Sequence, residues 1–127
     1  RAFKRALAEH HGWLVACPEY NSSITALLKN AIDWASRAEP NEPPLAAFRG
    51  KVAGLLATSP GALGGLRGLV TVRSILSNIG VLVLPEQVAV PKAPEAFDAE
   101  GRIADARHAK QVEELARRLV EVAGRLR

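Results

Sequence analysis

Two short stretches combine residue types that could hold a flat, polar ligand. Pro18-Glu19-Tyr20-Asn21-Ser22-Ser23 joins a proline of fixed φ to a carboxylate, an aromatic ring, an amide and two hydroxyls, just ahead of a helical pattern. Ser59-Pro60-Gly61-Ala62-Leu63-Gly64-Gly65 is a glycine-rich turn. Glycines there let the backbone approach a planar ligand or an anion closely, with N–H groups exposed. The turn has neither G-x-x-x-x-G-K-S/T nor G-x-G-x-x-G spacing, so taken alone it is equally a tight connection with helix capping. Other chemistry is sparse. His10 and His11 are adjacent and cannot share a helix face as i, i+4 ligands would, and His108 stands alone. Cys17 reads as a small buried strand residue rather than a redox thiol. No residue set suggests a nucleophile triad or a metal site.

The elements that must position the two stretches follow from hydrophobic period. Phe3, Ala6 and Leu7 give residues 1–11 the pattern of a helix tail. Trp13–Cys17 is a continuous apolar run ended by Pro18, as in a parallel strand buried on both faces. Ile24, Leu27, Leu28, Ala31, Ile32 and Ala35 then predict a helix running to Ser36, with Asn21, Ser22 and Ser23 as N-cap candidates. Lys51–Thr58 reads as a second strand, and Gly54 within it implies something packed closely on one face. Leu66–Asn78 reads as a helix whose apolar residues occupy more than one face, which implies a subunit contact as well as a core contact. Val81–Leu84 is a third strand, interrupted at Pro85 and resumed at Val88–Val90 as an edge segment or a bulge would be. Pro91–Asp98 reads as loop, and residues 105–126 as a final helix.

Alternating strands and helices imply an α/β fold with a parallel sheet and right-handed crossovers. Ligands in such sheets sit beyond the C-terminal ends of the strands, where both candidate stretches fall. The 127 residues amount to a single domain. With three visible strands, the Trp13–Cys17 run would be left as a bare apolar edge, so further strands are expected beside it.

Composition excludes several classes. Hydrophobic residues make up 48% and charged residues 24%, ordinary globular values. The net charge of +4 is mild and interspersed, without the dense basic and aromatic patches of a nucleic-acid binder. One cysteine excludes an intrachain disulfide framework and fits a reducing compartment, hence the cytoplasm. No apolar run approaches the ~20 residues of a membrane-spanning helix. Methionine is absent.

Taken together, the two stretches are far more specific. Pro18-Glu-Tyr-Asn-Ser-Ser-Ile-Thr-Ala-Leu-Leu-Lys-Asn-Ala-Ile-Asp-Trp34 resembles the PEYN…LKNAIDW signature of the NADPH-dependent FMN reductase family. SPGALGG is similar to that family's S-x-G-x-x-G-G loop, and VLVLPEQVAVPKAPEAFDAEGRIAD to its last strand and the approach to its final helix. The resemblance spans nearly the whole chain. It implies a flavodoxin-like three-layer fold, bound FMN, NADPH as donor, and a small electron acceptor such as a quinone, free flavin, azo compound or metal ion. It also implies a homodimer or homotetramer. Carried over by position, it places Pro18, Glu19, Tyr20 and Asn21 along the isoalloxazine ring, and Ser59, Gly61 and Gly64 near the ring's pyrimidine side. Tyr20 is then a wall or stacking platform for the flavin. Glu19 is a structural carboxylate paired with a backbone donor or a neighbouring subunit, in preference to a general acid. Asp33 and Trp34 are packing and interface residues. Arg67 is open to recognition of the NADPH phosphate or to an intersubunit or local pairing with Glu86.

Two departures stand out. Cys17 occupies a place where the family often has Thr or Ser. The family also begins with a strand and a G-S-x-R-x-x-S loop for the FMN phosphate, and neither is in this sequence. A strand–helix–strand unit takes ~30 residues or more, so roughly 50–60 upstream residues are expected to be missing. The alternative function is a non-catalytic flavodoxin-like domain acting in binding or assembly.

Overall fold

The computed structural model describes all 127 residues. The first apolar run forms β1 (Gly12–Ala16), which is preceded by the helix α1 (Ala2–Glu9). A two-stranded hairpin follows, β2 (Glu19–Tyr20) and β3 (Ser23–Ile24), then α2 (Ala26–Ala35). After a proline-rich connection come β4 (Val52–Thr58), α3 (Leu66–Asn78) and β5 (Leu82–Val90). The chain ends with a one-turn helix, α4 (Ala93–Ala96), and the long helix α5 (Ala106–Arg125). The sheet order is β1-β4-β5, with both pairings parallel, as the alternating pattern requires. The expected α/β fold with a parallel sheet is therefore present.

The central strand β4 is apolar on both sides because helices cover both sides. On one face, Leu7 of α1, Ile32 and Ala35 of α2, and Leu69, Val72 and Leu76 of α3 pack with Phe48, Leu55 and Cys17. On the other, Leu115 and Leu119 of α5 pack with Val52, Leu84, Val88 and Val90. Fully buried Phe48, Leu55, Leu69 and Leu115 each contribute roughly 1.5–3 kcal/mol of transfer free energy. The close packing expected at Gly54 comes from α5: a Cβ there would lie 3.1 Å from Leu115 Cδ1.

Three expectations are sharpened by the structure. Of the two readings of the interruption at Pro85, an edge segment or a bulge, the strand takes the bulge. There Ala53 pairs with Val83 and Leu55 with Gln87, so Gly54 alone faces Leu84, Pro85 and Glu86. Arg73 of α3 stabilises the bulge by donating to the Leu84 carbonyl at 2.6 Å and to Gln87 Oε1 at 2.8 Å. The stretch read as loop from Pro91 to Asp98 contains α4. Trp34 does not pack within its own chain, where it is 72% exposed, so only the interface part of its expected role is left to it.

Elsewhere, polar ties hold the connections. Lys51 Nζ donates to the carbonyls of Ala8 and His10, at 2.7 and 2.6 Å, closing the C-terminal end of α1. Lys4 pairs with Glu42 and anchors the connection between α2 and β4 to α1.

Candidate functional site

The two candidate stretches meet at the C-terminal rim of the sheet. Cys17 N–H donates to the Leu56 carbonyl at 2.8 Å and extends the β1–β4 ladder by one residue, to the point where Pro18 ends it. The chain then turns back on itself in the β2–β3 hairpin, pairing Glu19 with Ile24 and Tyr20 with Ser23. Asn21 and Ser22 occupy its tip with φ of 52° and 67°. Two successive left-handed residues define a type I′ turn, and asparagine tolerates that region better than most side chains.

This corrects the expected helix start. Asn21, Ser22 and Ser23 are used by the hairpin, and the N-cap of α2 is Thr25, whose Oγ1 accepts from Leu28 N–H at 3.1 Å. The Asn21 side chain and the Tyr20 phenol make no hydrogen bond within the chain, and Tyr20 is 67% exposed. Both are free to meet a ligand.

The second stretch is pinned from the β5 side. The Ser59 carbonyl accepts from Ala93 N–H at 2.9 Å, the Gly61 carbonyl from Lys92 N–H at 3.1 Å, and Thr58 Oγ1 donates to the Val90 carbonyl at 2.8 Å. The Ser59 and Gly61 carbonyls are thus committed, while no amide N–H from Gly61 to Gly65 donates to any group of the chain. The glycines divide the work. A Cβ on Gly64 would sit 2.6 Å from the Val90 carbonyl carbon, so that glycine allows the loop to lie on β5. A Cβ on Gly61 would meet only Ser59 Oγ, at 3.8 Å, so Gly61 faces open space.

Glu19 links the two stretches. Its side chain is 10% exposed and turns away from the open rim toward the start of α3. Oε2 accepts from Gly68 N–H at 3.0 Å, and Oε1 lies 3.6 Å from the Arg67 guanidinium. Within the chain the local pairing of Arg67 with Glu86 does not form: Arg67 meets Glu19, and Glu86 meets Arg118 at 3.7 Å. Beneath the hairpin, Cys17 is buried, and desolvation followed by the nearby Glu19 charge raises its thiol above the ordinary cysteine range. The largest surface hollow, of about 540 Å³, lies elsewhere, between α1 and α2, and includes none of the rim residues.

Sequence reasoning missed the hairpin and Gly68. The alternation Glu-Tyr-Asn-Ser-Ser-Ile carried a weak hairpin signal, since Asn-Ser is a poorer type I′ pair than Asn-Gly. Gly68 had no signal of its own, because a glycine inside a helical pattern usually only weakens it.

A parallel sheet between two helical layers, with polar loops at its C-terminal rim, defines an open α/β protein of the flavodoxin-like kind. The sequence profile of NADPH-dependent FMN reductases matches residues 1–95, and the chain belongs to that family. It is 40% identical over 104 residues to an NAD(P)H-dependent FMN reductase of Pseudomonas aeruginosa, covering 81% of this chain and 54% of the relative. It is 37% identical over 107 residues to an NADPH:quinone oxidoreductase of Arabidopsis thaliana, covering 82% and 51%. Among solved structures, the flavoenzyme NAD(P)H:(acceptor) oxidoreductase FerB of Paracoccus denitrificans superposes with a TM-score of 0.81 at 27% identity, covering 96% of this chain and 65% of that one. The chain spans about half the length of these curated relatives.

Proposed function

We propose that the chain acts as an FMN-dependent NAD(P)H oxidoreductase delivering electrons to a small acceptor, a quinone in the first instance. The observation that carries this is the run of amide N–H groups from Gly61 to Gly65 with no acceptor in the chain, beside the exposed Tyr20 and Asn21. A flavin ring offers a flat apolar face together with an edge of carbonyl and nitrogen acceptors, so its demands match the free groups at the rim. Bound flavin supplies the hydride chemistry. The chain's own residues bind and orient. The Gly61–Gly65 amides meet the acceptor edge, and Tyr20 and Asn21 of the hairpin lie along the ring. Pro18 fixes the departure from β1, and Ser59 adds a hydroxyl beside Gly61.

The family's name supports NADPH as donor, and relatives named for quinone reduction support the choice of a quinone acceptor. Exposed Leu27, Trp34 and Val70 on α2 and α3 support a homodimer or larger homo-oligomer, whose interface would cover them. The single buried thiol suits a reducing, cytoplasmic setting.

The test is absorbance. The protein as its gene encodes it should take up FMN, turn yellow, and bleach when NADPH is added without oxygen. Addition of a benzoquinone should restore the colour. A protein that takes up no FMN, or whose flavin NADPH fails to bleach, would instead be a non-catalytic binding or assembly domain.

A further inference from the structure

The rim contains one nearly buried charged side chain, and it turns away from the open space. Glu19 leaves the hairpin at the residue before Tyr20, crosses to α3, and accepts Gly68 N–H at 3.0 Å. Two glycines keep the crossing short. A Cβ on Gly68 would lie 3.4 Å from Glu19 Cβ and 3.4 Å from the Ser23 carbonyl oxygen, and one on Gly65 would lie 3.8 Å from Glu19 Cβ. The hairpin is otherwise only two residues per strand and cannot fix its own position.

We infer that Glu19 is a positioning residue: its carboxylate is a strut that locks the Tyr20–Asn21 hairpin tip to the first turn of α3, and so holds the two ring-facing loops at the spacing a flavin needs. This rests on the functional reading above. It assigns Glu19 no contact with the flavin and no proton transfer. The essential feature is an acceptor oxygen at that reach, rather than the negative charge. The Arg67 contact is secondary, because that guanidinium is largely exposed and 3.6 Å away.

Three variants of the protein as its gene encodes it separate the possibilities. Glu19→Gln keeps an acceptor oxygen at the same reach. Glu19→Asp is one methylene too short, and Glu19→Ala has no acceptor. FMN affinity should fall about tenfold in Glu19→Ala and Glu19→Asp, in line with a buried amide left unpaired, and stay within about threefold of the parent in Glu19→Gln. In flavin-free protein, amide hydrogen exchange at Gly68 and across the hairpin should accelerate in Glu19→Ala and Glu19→Asp but not in Glu19→Gln.

Unchanged FMN affinity in a folded Glu19→Ala or Glu19→Asp protein would overturn the inference. So would unchanged exchange in those variants. A Glu19→Gln protein that binds FMN normally yet loses turnover and one limb of its pH–rate profile would make Glu19 a proton donor, again overturning it. If Glu19→Ala fails to fold, the contrast between Gln and Asp decides, since equal behaviour of those two excludes a strut of fixed length. Failure of the parent protein to bind FMN would defeat the functional reading instead, and the exchange data would still judge the strut.

Discussion

At the residue scale, Asn21 does two jobs that a single substitution confuses. Its backbone holds a φ of 52° at the hairpin tip, and its amide projects from the rim without a partner. Leucine removes the amide but also resists the left-handed region. Glycine removes the amide and favours that region. Asn21→Gly should therefore leave the thermal midpoint near its parent value and weaken FMN binding by the one or two hydrogen bonds lost, at ~0.5–1.5 kcal/mol each. Fluorescence titration with FMN measures this, and equal affinities would remove Asn21 from the ring contacts. Glu19 shows what residue types alone leave open. Its carboxylate was legible as structural, because a buried charge must find donors. Its particular donor was not, since Gly68 lies 49 positions along the chain and only the fold brings them together.

Elements were legible in proportion to their length and periodicity. α3 and α5 lie within a residue or two of where their apolar spacing puts them, and β4 begins one residue later than expected. The start of α2 was misplaced because three good capping residues precede Thr25, and a tertiary hairpin claims all three. The irregularity in β5 was legible because Pro85 cannot donate to a ladder; what was not legible is that Arg73 reaches over from α3 to satisfy the carbonyl exposed there. At this scale the most exacting contact is between the glycine loop and β5. Gly64→Ala would place a methyl group 2.6 Å from the Val90 carbonyl carbon, at a φ of +62°, against backbone that has no side chain to move aside. A left-handed alanine together with overpacking should cost at least ~2 kcal/mol. Gly61→Ala, facing open space, should cost much less. Denaturant melts of the two variants give the comparison, and similar midpoints would show that the loop is not held against β5 as described.

For the molecule as a whole, the helix starts decide how a flavin nucleotide can be held. A phosphate dianion is usually met by free N–H groups at a helix N-terminus. Here the first turn of α2 is closed by the Thr25 hydroxyl, that of α3 by the Glu19 carboxylate, and that of α5 by Asp105, which accepts from His108 N–H at 2.9 Å. Each of the longer helices that begins at the rim end of the sheet has a first-turn N–H already taken by one of the protein's own side-chain oxygens. The rim amides of Gly61–Gly65 remain, but these suit the uncharged acceptor edge of the ring. Meanwhile β1 pairs only with β4, and Leu14 on it is 43% exposed, so one side of the sheet is open to a further strand. It follows that residues 1–127, expressed as an isolated polypeptide, should recognise the ring and be nearly blind to the phosphate. FMN and riboflavin should bind with affinities within about threefold of each other, both weakly, because no charge-assisted bond of the ~1.5–3 kcal/mol kind is made to the phosphate. The same polypeptide should self-associate through the open β1 edge, seen as light scattering that grows with concentration. A polypeptide lengthened so that a strand and a phosphate-binding loop lie on that edge should stay soluble and prefer FMN to riboflavin by at least about a hundredfold, the equivalent of two such bonds. Parallel titrations of both forms with both flavins settle the point. A strong FMN preference in the 127-residue form would place the phosphate among the residues described here and overturn this assignment of the helix starts.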